Sequence, residues 1–131
     1  MGYQDDYVMR TITDLVRAIA RLALGKDDIS YELPADAAGD SNPQALYRRL
    51  AAMAEAGDIN GAENTLYEEL DTEDRGYLEM GLAFYMLVNQ FSDEYLFGAS
   101  YSREEIVEGI NGLSAQFGIS GFENFVDTTI L

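Results

Sequence analysis

Asp58, Asn60 and Glu69 occupy the first, third and twelfth places of the window that starts at Asp58. An EF-hand loop sets oxygen ligands at those places around calcium, with a further ligand at the fifth and glycine at the sixth for the bend. Here the fifth place is Ala62 and the sixth is Glu63. One ligand and the residue that shapes the loop are both missing, so the spacing does not build a calcium loop. The longer acidic stretch between residues 58 and 79, including "EELDTED", carries acids at 68, 69, 71, 73 and 74. Such a stretch offers hard oxygen ligands to a cation or small ligand, but ligands must converge in space as well as in sequence. It is the alternative functional reading of the chain.

Other chemistry is excluded by composition. The 131 residues contain no cysteine and no histidine, which removes thiolate nucleophiles, the usual zinc ligands and the Ser-His-Asp arrangement together. "GINGLSAQFG" matches neither a P-loop nor a dinucleotide fingerprint. Lys26 follows Gly25 at a helix end, where its charge complements the dipole. The expectation is a protein without catalytic activity, catalytic residues, cofactor or metal.

Charge narrows the partners. Twenty-four acids against eight bases give a net charge of −16. This disfavours nucleic acid and anionic membranes, and favours a basic protein partner. The charge is unevenly spread. Residues 1–26 hold four bases against three acids, whereas residues 27–131 hold four bases against 21 acids. Arg10, Arg17 and Arg21 fall on one helical face around Asp14. That face reads as a solvated surface supported by local ion pairs, or as one that meets the acidic surface of a second copy. The apolar tail, with Phe122 and Phe125, is the other candidate partner surface. The acidic N-terminus is unlike a secretory signal, and "GLAFYMLV" is too short to span a bilayer, so the expected setting is cytosolic.

The elements that would position these residues are helices. Val8, Ile12, Leu15, Ile19 and Leu22 are spaced as one buried stripe of a helix over 4–24. Ile29, Tyr31 and Leu33 alternate within a surface segment and loop over 26–42. Ser41 or Asn42 then caps a helix with Pro43 in its first turn and Leu46, Leu50 and Met53 inward. This helix stops at Gly57, and a second carries Ala62, Leu66, Tyr67 and Leu70, so 43–70 is a helical hairpin with Asp58 and Asn60 in its turn. Thr72 or Asp71 caps a helix over 72–91, apolar nearly all round and therefore central. Ser102 and Glu105 form a capping box for a helix over 102–117 that Gly118 ends, and an apolar tail follows over 119–131. No strand pair is signalled. The chain reads as one all-α domain, a compact bundle of about five helices.

Two resemblances accompany this reading. Residues 43–74, with small residues at 57 and 62 between two helices, resemble a single tetratricopeptide-type hairpin, lacking the family's later small residue and proline. "YQDDYVMRTITDLVRAIARLALGK", running on to "ISYEL", resembles a family of short, acidic, uncharacterised bacterial helical proteins, and the similarity extends over the whole chain. It implies a small soluble helical protein and carries over no catalytic residue. The functional expectation is a protein–protein interaction or scaffold module, with a homodimer through the first helix or the tail as one form of it.

Overall fold

The computed structural model describes residues 3–26 and 42–126, with side chains from Tyr7 onward. Among these residues six helices follow one another: α1 (Tyr3–Leu24), α2 (Pro43–Glu55), α3 (Ile59–Glu68), α4 (Arg75–Asn89), α5 (Asp93–Gly98) and α6 (Arg103–Gln116). No strand occurs among the described residues. Residues 27–41 of the surface segment expected over 26–42, and the tail residues Ile130 and Leu131, lie outside them.

Helix α4 is the centre, as its composition requires. It packs on α1, α2 and α6, while α2 packs on α3 and α1 also meets α6. Leu78, Met80, Leu82, Phe84, Tyr85 and Val88 are all fully buried along it. Close approach to α6 depends on missing side chains. A methyl group on Gly81 would come within 2.6 Å of Leu113, and α6 presents Gly109 to Tyr85 in the same manner. The bundle is thus held by apolar burial worth about 1.5–3 kcal/mol per large side chain.

Helix α1 buries Val8, Ile12, Leu15, Val16, Ile19 and Ala20. Leu22, expected in the stripe, is 66% exposed. The reason is geometric: a straight α-helix drifts by about 20° per heptad against a 3.5-residue repeat. Two heptads after Val8 the stripe has rotated to the edge of the core, and Val16 and Ala20 fill the face instead.

Helix starts follow side-chain capping. Asn42, rather than Ser41, caps α2, accepting from the Ala45 amide at 2.8 Å. The cap of α4 is Asp74, three residues beyond the expected Asp71 or two beyond Thr72. Asp71 instead accepts from the Glu73 amide at 3.0 Å and makes a turn of its own. Its spacing to the next amide is that of an Asx turn, which competes with a cap for the same acid. Leu70 consequently lies in the connection and not in α3. Ser102 caps α6 as expected, accepting from the Glu105 amide and donating its hydroxyl to the Glu105 carboxylate.

Helix α5 was not anticipated. It is short, but its start carries the usual signals: Ser92 accepts from the Tyr95 amide at 3.0 Å, and Asp93 and Glu94 fill the first turn. Beyond α6 the chain folds back, burying Ile119 and Val126 and packing Phe122 against the core.

Candidate functional site

The acids between 58 and 79 are distributed among separate tasks. Asp58 caps α3 by accepting from the Gly61 amide at 2.9 Å, and Asp74 caps α4 by accepting from Gly76 at 2.8 Å. Asn60, expected in the turn, lies inside α3. Glu69 receives a two-pronged pair from Arg49 at 2.9 and 2.7 Å, and Glu79 pairs with Lys26 at 2.5 Å. Among the described residues no group of three or more Asp and Glu side chains converges as a metal site would require.

Glu63 is turned the other way, into the protein. Its Oε2 accepts from the Tyr85 hydroxyl at 2.5 Å and from the Tyr101 hydroxyl at 3.0 Å. One turn along α3, Tyr67 donates to the Gly109 carbonyl at 3.1 Å. Four side chains from α3, α4 and the α5–α6 connection therefore form one polar knot, closed over the bare backbone of Gly109 on α6. Burial pushes the Tyr85 hydroxyl far above the ordinary tyrosine value, and the charge of Glu63 adds to that; Tyr101 shifts the same way for the same two reasons. Both phenols keep their protons and donate them to Glu63. The knot can hold three helices in register.

A second knot sits one turn further along α4, at its C-terminal end. The Arg103 side chain is only 10% exposed. Its Nη1 donates to the Asn89 carbonyl at 2.7 Å and to Asn89 Oδ1 at 3.1 Å, its Nη2 to the Phe91 carbonyl at 2.6 Å, and its Nε to Asp93 at 3.1 Å. Asn89, itself buried, donates to the Met9 carbonyl at 2.9 Å. One guanidinium thus satisfies the last carbonyls of α4, fixes the start of α5 and links both to α1. Sequence reasoning passed over Arg103. The available signal was a base in the first helical turn, where the dipole disfavours it and some other partner must hold it.

Of the expected partner residues, Arg10, Arg17 and Arg21 share an exposed strip of α1 with Asp14 and with Tyr7, which is 53% exposed. Phe122 and Phe125 stack with ring centres 6.1 Å apart; Phe122 is half-buried, and Phe125 is 44% exposed. The structure keeps each set together on its own element.

A residue that sequence reasoning did not single out is presented more fully than any of these. Phe97 on α5 is 85% exposed, between Leu96, which is buried, and a tightly fixed turn. The Tyr101 amide donates to Leu96 and the Ser100 amide to Phe97, which closes the helix in a Schellman pattern. Ser100 takes the left-handed position at φ 58° that Gly57 and Gly118 occupy at the ends of α2 and α6. From α3, the Asn60 side chain donates to the carbonyls of Ala99 and Ser100 at 3.4 and 3.2 Å. Tyr95 anchors the other side through its hydroxyl to the Ala54 carbonyl at 2.7 Å. No described helix is long and apolar enough to cross a membrane.

A family model described as "Family of unknown function (DUF6483)" matches residues 2–118. The chain belongs to this family. The family's span takes in all six helices, both polar knots and the Phe97 corner, and stops at Gly118, so Phe122 and Phe125 lie beyond it. No curated protein and no solved structure matches the chain.

Proposed function

We propose that this protein is a small protein–protein interaction module without catalytic activity, acting in the cytosol, and that the α5 corner is its docking surface. The observation that carries this reading is the presentation of Phe97: 85% exposed on a corner pinned from α2 and α3 and closed by a left-handed serine. A single exposed apolar residue is ordinary on a protein surface. An aromatic presented from a pinned backbone spares the backbone part of the ordering entropy on binding, which suits an interface anchor. The ionisable groups of the interior are meanwhile tied into the two knots, which supports a non-catalytic role. The alternative of a cation or small-ligand site over 58–79 is the less supported reading, because among the described residues no three acids converge as a metal site would require.

The test is a photo-cross-linking amino acid placed at position 97 in growing cells, with exposed Gln116 as the control position and Tyr7 as the probe of the α1 strip. The expected result is a discrete adduct from position 97 that is absent from 116. Equal background at 97 and 116 would remove the docking reading, and an adduct from Tyr7 alone would transfer it to α1.

A further inference from the structure

We propose that the partner of the α5 corner is a basic protein segment that carries an apolar residue at its centre. This rests on the docking reading above and adds the chemistry of the partner. On α5, Asp93 and Glu94 precede Phe97 by four and three residues, so all three share one helical face. After the turn, Glu104 and Glu108 are exposed one helical turn apart on α6. Arg103 is the only base between residues 90 and 108. It is turned inward, with its side chain 10% exposed and its bonds directed to Asn89, Phe91 and Asp93. With that one cation turned inward, the exposed charged side chains of this segment, Glu94, Glu104 and Glu108, are all acidic. A second copy docking through an acidic face would meet like charge there, as would a nucleic acid or an anionic membrane. A Lys- or Arg-bearing segment with a leucine or aromatic residue between its charges matches both the sign of the surface and its apolar anchor. The net charge of −16 steers such a segment toward the protein from a distance.

The experiment uses three synthetic peptides of equal length: a Lys/Leu amphipathic helix former, its Glu/Leu counterpart, and a Lys-rich peptide without leucine. Binding to the full chain is followed by backbone and aromatic NMR shifts, with light scattering on the protein alone. The Lys/Leu peptide should bind with shifts centred on Phe97 and bind about tenfold more tightly than the Lys-only peptide. The Phe97→Ala variant and the combined Glu94→Lys, Glu104→Lys, Glu108→Lys variant should each weaken it by about tenfold. Charge reversal at the remote exposed acids, Glu68→Lys with Glu73→Lys, should change it less than about twofold.

Equal losses from the near and remote reversals would reduce the interaction to bulk charge and overturn the proposal. Tighter binding of the Glu/Leu peptide would overturn it, and so would a wild-type dimer that Phe97→Ala dissociates. A cross-linked partner whose captured segment is neutral or acidic would remove the basic-partner inference while leaving the docking surface in place. Absence of any adduct at position 97 would remove both.

Discussion

Tyr85 and Gly109 fit each other atom for atom: the phenol of α4 occupies the volume that any side chain at position 109 of α6 would need. The same phenol reaches past that glycine to Glu63 on α3 at 2.5 Å. Gly109→Ala should therefore displace the ring and lengthen the Glu63 bond together, costing about 1–3 kcal/mol. Gly112→Ala is the control, because the group it meets is the terminal hydroxyl of Tyr67 at 3.0 Å, which can move. Urea unfolding of the two variants should show the first clearly destabilised and the second near wild type.

Alkali should unfold the protein through Tyr85 and Tyr101. Below the ordinary tyrosine value of 10.0 both folded and unfolded chains hold these protons, and the stabilisation is complete. Above it the unfolded chain releases them while the folded chain cannot. Unfolding then gains about 1.4 kcal/mol per pH unit from each tyrosine. Stability measured against pH should fall steeply above pH 10, and the fall should be shallower in Tyr101→Phe.

Arg103→Met keeps the apolar stem and removes the guanidinium, leaving the carbonyls of Asn89 and Phe91 and the Asp93 carboxylate without that donor. The expected loss is about 2–3 kcal/mol in thermal or chemical unfolding, in line with hydrogen bonds to a charged group. Arg103→Lys should recover only part of it, since one ammonium cannot reach acceptors in that forked arrangement.

At the α5 corner, Phe97→Ala should leave stability within about 0.5 kcal/mol of wild type, whereas its neighbour Leu96→Ala should lose about 2–5 kcal/mol. Differential scanning calorimetry on the pair separates a presented side chain from a packed one.

Ser100→Gly should stabilise the protein by up to about 1 kcal/mol, because serine at φ 58° carries a left-handed strain that glycine does not. A midpoint shift in guanidinium at unchanged slope would record it.

The helices were legible wherever a long apolar period or a capping residue announced them. Leu46, Leu50, Ile12 and Ile110 lie where their spacing puts them, and the apolarity of 77–88, interrupted by Glu79 alone among charged residues, marked α4 as central. Leu22 misled because a five-term spacing cannot show the slow drift of a straight helix past its partners. Asp71 misled because an Asx turn and a helix cap ask the same residue for the same bond two positions on. The two knots were less legible still. Glu63, Tyr67, Tyr85 and Tyr101 come together across 39 residues of chain, and nothing in the local pattern of any of them names the others. Phe97 went unread because sequence periodicity reports the face a helix buries, and α5 is too short to have a period.

The central place of α4 also sets an order of events. The main packing partners of α1 are α4 and α6, both made long after it. During synthesis at about 5–20 residues per second, the buried face of α1 waits several seconds for the chain to reach Asn89. The α2–α3 hairpin can close in the meantime, since its two helices are neighbours in the chain. Helix α1 is thus made before its main packing partners and is among the last of these helices to be enclosed, and its apolar side is what a holding chaperone would meet.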